Sequence, residues 1–380
     1  MLINPGRSPY LPSDRDLIGR SHAAGVGDLL SLCPAHRATP LLSVPSLAAK
    51  LGLAKIHLKA EWARMGLSSF KALGGAYAVA LIIMARAEAS LGRPILPADL
   101  LSPAVRAVAE GMTLACASAG NHGLAVAAGA RAFGARAVVY LNAAAPEAFA
   151  VRLRGKGAVV TRAGATYEES MARAAADAER EGWDLVSDSS WPGYMQTPLA
   201  VMRGYTVLLE EAAQALEDVG GPATHVFVQA GVGGLAAAAA GYLRDRWGEG
   251  FRFVVVEPEG APCLLESVRL GRPTHVAGGE TALGRLDCKE PSLIAFELLS
   301  RLADAFVLVS DGEAEQAAAR LVAQGAPVSA CGAAGAAGLI AACGGDRWRR
   351  RLDLDAQSRV LLIGTEAADP LIEDNRWRHP

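Results

Sequence analysis

Hydrophobic positions from residue 113 onward occur in short runs that alternate with longer amphipathic segments. Apolar runs at 113–117, 137–141 and 158–160 are each followed by a segment with helical periodicity, at 121–133, 146–153 and 166–180. Short apolar strands that alternate with helices predict βαβ units and parallel sheets covered by helices on both faces. The pattern therefore predicts an α/β protein with right-handed crossovers.

The second half of the chain has the same rhythm. Strands are predicted at 185–186, 225–229, 253–256 and 360–363, and helices at 197–216, 235–247, 291–302, 311–324 and 333–343. A strand at 56–59 and a long helix from Lys71 to about residue 89 precede this series. Frequent Pro and Gly indicate an irregular arm up to about residue 35 and a connection at 91–110.

A chain of 380 residues is long for a single core, so two domains are expected. We predict a large domain formed by residues 1–75 and 195–380, including the arm, and a small domain formed by residues 76–194.

Composition and charge argue against nucleic acid, a membrane or a metal ion as a binding partner. Hydrophobic residues make up 51% and the net charge is -2, which indicates a globular protein without a field that attracts nucleic acid or an anionic membrane. Two uncharged stretches, 226–243 and 323–345, are interrupted by Gly and polar residues, so they predict buried elements instead of membrane spans. Six scattered cysteines, no metal-ligand spacing and no signal-peptide core indicate a cytoplasmic protein without a metal site.

Lys71 stands at the start of the long apolar helix, and no other charge occurs from Ala72 until Arg86. Burial disfavours an ammonium and lowers its pKa, and a neutral lysine is a nucleophile that can form a Schiff base. Two serines before it, Ser68 and Ser69, suit a helix start. The alternative is a lysine whose stem packs on a core helix while its ammonium reaches water.

Three glycine-containing turns offer candidate binding sites. Residues 229–235 follow a strand and open a helix, which predicts a cradle for a single phosphate, or else a tight turn without a ligand. Residues 117–123 predict a carboxylate site, with Asn121 as a donor; alternatively Asn121 caps a helix, and His122 is expected at the surface. Residues 329–335 contain Cys331, either a packing residue or a weak, uncharged partner for a ring nitrogen.

Together these stretches resemble the fold-type II pyridoxal-phosphate enzymes, and most closely the diaminopropionate ammonia-lyases. The resemblance begins at about residue 55 and rests on segments 64–77, 188–194, 202–205, 225–233, 256–258, 284–291 and 365–366. It implies a tryptophan synthase β-like fold, in which two domains each have a parallel-rich, three-layer αβα sheet.

The resemblance also implies roles for individual residues. Lys71 would hold pyridoxal 5'-phosphate as a Schiff base and then transfer protons. The implied cofactor contacts are Asn121 at the ring hydroxyl, Gly231, Val232, Gly233 and Gly234 at the phosphate, and Cys331 at the pyridine nitrogen. The implied contacts with the substrate carboxylate are the backbone groups of Ser118, Ala119, Gly120 and His122.

Ala119 marks a departure from the ammonia-lyases, which have an aspartate there. That aspartate serves as the base for the D-isomer, so this chain is expected to act weakly on D-substrates. The stretch 118–122 instead resembles threonine dehydratase. Asp188 is retained as a base for the L-isomer or as a group that helps to expel an amine; alternatively it caps the turn after a strand. Cys263 and Cys288 match cysteines of the family, and whether they pair is open.

The expected function is an α,β-elimination, with L-2,3-diaminopropionate as first choice of substrate and pyruvate and ammonia as products. A homodimer is expected from the resemblance. Alternatives are a threonine or serine dehydratase and a β-replacement synthase of secondary metabolism. A catalytically inactive homologue and a nucleotide binder are less expected, because a Schiff-base lysine and three glycine turns occur together.

Overall fold

The computed structural model describes residues 1–118, 120–143 and 145–368. The strands are β1 (Leu2–Ile3), β2 (Leu41–Ser43), β3 (Lys55–Ala60), β4 (Thr113–Ala117), β5 (Arg136–Leu141), β6 (Val159–Arg162), β7 (Asp184–Leu185), β8 (His225–Gln229), β9 (Arg252–Pro258), β10 (Ala305–Val309) and β11 (Arg359–Gly364). The helices are α1 (Pro12–Leu17), α2 (Ser21–Leu30), α3 (Pro45–Leu51), α4 (Lys71–Leu91), α5 (Pro103–Glu110), α6 (Asn121–Phe133), α7 (Glu147–Gly155), α8 (Tyr167–Glu181), α9 (Gln196–Gly204), α10 (Thr206–Asp218), α11 (Gly234–Trp247), α12 (Cys263–Leu270), α13 (Leu293–Leu302), α14 (Asp311–Val322), α15 (Ala330–Cys343) and α16 (Asp346–Arg351). Short 3₁₀ segments lie at Glu61–Gly66 and Pro97–Leu101.

Within the described residues the strands form two sheets. The larger sheet has the order β1-β10-β9-β8-β11-β3-β2 and is parallel except for the edge strands β1 and β2. The smaller sheet has the order β6-β5-β4-β7 and is parallel throughout. The predicted α/β fold with parallel sheets is confirmed, and the domain boundaries at residues 75 and 194 stay a prediction.

The prediction of an irregular arm up to residue 35 is wrong. This segment contains β1, α1 and α2, although Gly25 and Gly27 lie inside α2 and disfavour a helix. Val26, Leu29 and Leu30 of α2 are buried, and the helix packs against α4, α9 and α10. Tertiary packing therefore outweighs the low helix propensity of the two glycines.

The connection predicted at 91–110 also contains a helix, α5. The Oγ of Ser102 accepts the N–H of Val105 at 3.4 Å, and Pro103 is the first helical residue. A capping serine followed by proline is a helix-start signal that the sequence offers.

The helix predicted at 197–216 is two helices, α9 and α10, which meet at Tyr205. A Cβ atom on Gly204 would lie 2.6 Å from the Cα of Gly74, so α9 and α4 touch backbone to backbone. The break at Tyr205 therefore lies directly against the first turn of α4, where Lys71 stands.

Among the described residues, α4 alone has the length and apolar composition to cross a membrane, and half of its most apolar stretch is buried inside the protein. It packs against α6 and α9. The two uncharged stretches of the sequence form β8 with α11, and α15, whose residues are largely buried, as predicted.

Candidate active site

The chain enters the site through a segment with unusual backbone angles. Met65, Gly66 and Ser68 have positive φ values of 51°, 64° and 59°. The buried guanidinium of Arg64 fixes this segment by ion pairs of 2.7 Å to Glu61 and 2.6 Å to Glu211. Left-handed conformations at non-glycine residues are costly and persist where surrounding contacts impose them.

Lys71 is the first residue of α4, and its Nζ donates a short hydrogen bond to Oδ2 of Asp188. The Oγ of Ser69 accepts the Lys71 backbone N–H at 3.3 Å, so one of the two serines does serve the helix start. Burial lowers the pKa of the Lys71 ammonium, but the Asp188 carboxylate, together with Tyr205 and Cys288, raises it, and the net direction is upward. The lowered pKa expected from burial alone is therefore wrong.

Asp188 lies just beyond β7, at the carboxyl end of the smaller sheet. Burial raises its pKa, whereas Lys71 and smaller neighbouring contributions together lower it, so the net direction is downward and the carboxylate is charged. The side chain pairs with Lys71 across the site. Asp188 thus supplies a proton acceptor in direct contact with the amine.

His122 is buried, so the expectation of a surface residue is wrong. Its Nε2 lies 2.8 Å from the carbonyl oxygen of Val186, and its Nδ1 lies 4.0 Å from Oδ2 of Asp188. Gly120 holds the N-cap position of α6, and Asn121 is the first helical residue. His122 is therefore on the side of α6 that faces the end of β7, which periodicity alone does not specify.

The predicted phosphate turn lies between the end of β8 and the start of α11. Gly233 has a φ of +96°, and a Cβ there would lie 2.9 Å from the Cβ of Ala295. Among hydrogen bonds between described residues, none uses the amide N–H groups of Gly231, Gly233 or Gly234. Unused amides at a helix N-terminus are suited to an anion such as a phosphate.

Cys288 lies against the same turn, because a Cβ atom on Gly231 would lie 2.8 Å from its sulfur. Cys263 also contacts the turn, with its Sγ 3.6 Å from the carbonyl oxygen of Gly231. Both cysteines are free thiols. Burial raises the pKa of Cys288 to about 12; the charge of Asp188 adds to this rise and the charge of Lys71 opposes it. This thiol therefore connects the phosphate turn with the Lys71–Asp188 pair.

Asn121 and Cys331 lie beside a buried carboxylate, that of Glu366. The Nδ2 of Asn121 donates to Oε2 of Glu366 at 2.5 Å. Burial raises the pKa of the Cys331 thiol to about 12, with an added contribution from Glu366, so the thiol is neutral. A neutral partner at this position agrees with the role that the resemblance implies for Cys331.

Glu366 and Arg285 were not predicted as site residues. Arg285 Nη1 lies 2.9 Å from Oε1 of Glu366, and Ser329 donates its hydroxyl to the same oxygen at 2.7 Å. Ser69, two residues before Lys71, pairs with Glu366 as an isolated β-bridge. The sequence signal that could have identified Glu366 is a charged residue two positions after the end of the apolar strand β11.

The predicted carboxylate turn uses some of its donors internally. The Ser118 amide donates to the carbonyl oxygen of Tyr140 at 3.1 Å, and the Gly120 amide donates to Oγ of Ser118 at 3.2 Å. Ala119 lies outside the described residues. A role of this turn in binding a substrate carboxylate stays a prediction.

Tyr205 is a further residue that sequence reasoning left without a role. Its hydroxyl is buried, and its ring lies 4.9 Å from that of Phe70, next to Lys71. Burial raises the pKa of Tyr205, and the charges of Lys71 and Asp188 act on it in opposite directions.

The site as a whole consists of a lysine–aspartate pair, an amide turn and a neutral thiol, which together fit pyridoxal phosphate.

Comparisons with known proteins agree with this fit. The family model of pyridoxal-phosphate dependent enzymes matches residues 32–366. A diaminopropionate ammonia-lyase of Salmonella typhimurium is 32% identical over 368 residues, which are 90% of this chain and 89% of the relative. The enzyme of the same name from Escherichia coli K12 is 33% identical over 281 residues, 73% of this chain and 69% of the relative.

Solved structures give the same result for the fold. The crystal structure of the Escherichia coli diaminopropionate ammonia-lyase in complex with D-serine has a TM-score of 0.85, with 27% identity over 99% of this chain and 95% of that one. Its complex with an aminoacrylate-PLP azomethine reaction intermediate also has a TM-score of 0.85, with 28% identity over the same shares of both chains. The chain therefore belongs to the family of pyridoxal-phosphate dependent enzymes, with the fold-type II architecture that the sequence resemblance implied.

Proposed function

We propose that this protein is an ammonia-lyase that converts L-2,3-diaminopropionate into pyruvate and ammonia by α,β-elimination. The observation on which the proposal rests is the hydrogen bond between Lys71 and Asp188, which joins a nucleophilic amine to a proton acceptor. The activity named for the Salmonella and Escherichia coli relatives supports the choice of substrate.

Pyridoxal phosphate, when bound, supplies an aldehyde that takes up amino groups and a ring that accepts electrons from the adjacent carbon. The amides of Gly231, Gly233 and Gly234 would hold its phosphate, since they have no acceptor among the described residues. Asn121 and Cys331 would contact the ring, and the neutral thiol of Cys331 would give a ring nitrogen an uncharged partner.

Two side chains of the protein, Lys71 and Asp188, would carry out the proton transfers. A lysine ammonium has no lone pair, so Lys71 must lose a proton before it can react, and Asp188 is the acceptor in contact with it. Once that proton has left to solvent, the same carboxylate would take the α proton of a substrate and return a proton to the amine that leaves. Lys71, as a free amine, would be the second group able to carry these protons.

The proposal is tested on the purified protein with pyridoxal phosphate. The protein is expected to be yellow, borohydride is expected to attach the cofactor to Lys71, and L-2,3-diaminopropionate is expected to yield pyruvate. Lys71→Ala should abolish all three results, whereas Lys50→Ala, at an exposed position, should leave them unchanged. A colourless protein that does not bind pyridoxal phosphate would contradict the proposal.

A panel of β-substituted amino acids separates this function from its alternatives. A dehydratase is expected to prefer serine or threonine, and a β-replacement synthase should attach an added nucleophile to the substrate instead of releasing pyruvate. Preferred release of pyruvate from L-2,3-diaminopropionate supports the ammonia-lyase.

We also propose a homodimer in the cytoplasm that takes a small amino acid as its substrate and has no nucleic-acid or membrane partner. The resemblance to the ammonia-lyases supports the dimer, and the net charge of -2 supports the absence of nucleic-acid and membrane partners. Sedimentation of the holoenzyme tests the dimer, and a monomer at micromolar concentration would contradict it.

A further inference from the structure

His122 is the second polar neighbour of the Asp188 carboxylate. Its Nε2 lies 2.8 Å from the carbonyl oxygen of Val186, and because a carbonyl only accepts, Nε2 must hold the ring proton. The other nitrogen, Nδ1, then has a lone pair. Among the described residues Nδ1 is buried without a hydrogen-bond partner, and it lies 4.0 Å from Oδ2 of Asp188.

The distance of 4.0 Å between Nδ1 of His122 and Oδ2 of Asp188 is explained by the absence of a proton on either atom. A carboxylate and a neutral imidazole nitrogen are both acceptors, so no hydrogen bond can form between them, and 4.0 Å is longer than one. A protonated ring would close the gap. However, burial lowers the pKa of His122, and Lys71 opposes the raising effect of Asp188, so the ring stays neutral near pH 7.

A buried acceptor without a donor costs folding free energy. Here the cost arises beside the carboxylate that would take the α proton of the substrate. A single added proton on Asp188 turns the pair of acceptors into a donor and an acceptor. The unsatisfied nitrogen is therefore complementary to protonated Asp188, a state that arises when this carboxylate takes up a proton from Lys71 or from the substrate.

We propose that His122 is a positioning residue that accepts, at Nδ1, the hydrogen bond of protonated Asp188. The inference rests on the proposed elimination. The substrate Cα–H bond breaks, its electron pair forms the Cα–Cβ double bond, and the Cβ–N pair departs with the amine. The proton forms an O–H bond on Asp188, is held toward His122, and then passes to the departing amine.

Other titratable groups around Asp188 do not compete for this proton. They are Cys116, Tyr167, Tyr194, Tyr205 and Cys288. Burial raises the pKa of the two cysteines and of Tyr194 and Tyr205, and Tyr167 is an exposed phenol near a negative charge, so all five remain protonated near pH 7 and offer no free base. Lys71 and His122 are left as the groups that can exchange a proton with Asp188.

Two variants of His122 separate this role from packing. His122→Gln places an amide N–H near the position of Nε2 and can keep the bond to Val186, but it removes Nδ1. His122→Asn places an amide oxygen near the position of Nδ1 and loses the bond to Val186. We expect His122→Gln to lower kcat about tenfold with little change in KM, because a proton-transfer step loses its support.

The Asn variant is the matched control. It should retain more of kcat than His122→Gln at a lower Tm, and its pH profile should keep the shape of the wild type. If activity instead follows stability, with the Gln variant close to the wild type and the Asn variant worse, His122 has a packing role and the inference is overturned.

A measurement without substrate tests the protonation state of Nδ1 of His122. Nitrogen-15 NMR of histidine rings in the holoenzyme, assigned by comparison with His122→Gln, should show a proton on Nε2 and none on Nδ1 near pH 7. Asp188→Asn, which can donate an amide N–H, should shift the Nδ1 signal. A protonated Nδ1 overturns the inference while the proposed function stands. Failure of the wild type to form pyruvate overturns both.

Discussion

The Nδ2 of Asn121 donates a hydrogen bond of 2.5 Å to Oε2 of Glu366, and this bond connects the two sheets inside the site. Asn121 begins α6, which follows β4 of the smaller sheet, and Glu366 follows β11 of the larger one. The other oxygen of Glu366 is bound by Ser329 and Arg285. A buried carboxylate is thus compensated by a cation and by hydrogen bonds from both halves of the fold.

Glu366→Gln is expected to lower the free energy of unfolding by about 2–4 kcal/mol, because it leaves the partly buried Arg285 without its carboxylate. Urea unfolding measures the loss. Glu88→Gln, at an exposed position on α4, is the control and should change stability little. The double variant with Arg285→Met should recover part of the loss, and strictly additive losses would contradict a coupled pair.

Gly233→Ala is expected to weaken the binding of pyridoxal phosphate at least about tenfold, because alanine is strained at a φ of +96° and its Cβ would lie 2.9 Å from that of Ala295. Fluorescence titration of the cofactor measures the change in affinity. Gly250→Ala, where a Cβ meets no atom within 4 Å, is the matched control. Unchanged affinity in Gly233→Ala would show that this turn does not hold the phosphate.

Local signals account for what the sequence predicted correctly. The turn at Gly231–Gly234 and the start of α4 at Lys71 are strand-to-helix or loop-to-helix junctions, which short patterns specify. The pKa of Lys71 depends on Asp188, which is 117 positions away, and the surroundings of Asn121 depend on Glu366, 245 positions away. Helix α2 was missed because its stability comes from packing on α4 and α10. The hydrophobic periodicity of a segment does not specify contacts with residues that are distant in the sequence.

The identity of residue 119 leads to a prediction about stereochemistry. Wild type is expected to form pyruvate from D-2,3-diaminopropionate at least about tenfold more slowly than from the L-isomer, because the ammonia-lyases have an aspartate base where this chain has Ala119. Ala119→Asp should raise the D rate and leave the L rate similar, and Asp188→Asn should abolish the L rate. Ala119→Asn is the control, because asparagine has nearly the same size as aspartate but cannot act as a base. Equal rates of the wild type on both isomers would contradict this assignment.

His225 makes the stability of the protein depend on pH. The ring is buried, with Nε2 2.7 Å from the carbonyl oxygen of Leu352 and Nδ1 2.9 Å from Oγ1 of Thr224. Both nitrogens are therefore used by a neutral ring. Burial lowers the pKa of His225 below its ordinary value of 6.5, and the Leu352 carbonyl offsets only part of that effect.

The sign of the pH effect follows from the protons bound by each state. Below about pH 6.5 the unfolded chain binds a proton at His225 that the folded chain does not, so the free energy of unfolding falls as the pH falls, by at most about 1.4 kcal/mol per unit. Buried His57 and His122, whose pKa values are also lowered, act in the same direction. The free energy of unfolding, measured with urea at several pH values between about pH 7 and pH 5.5, should therefore change less with pH for His225→Gln than for the wild type. His275→Gln, at an exposed position, should keep the wild-type slope, and an equal slope in His225→Gln would show that this histidine is not buried neutral.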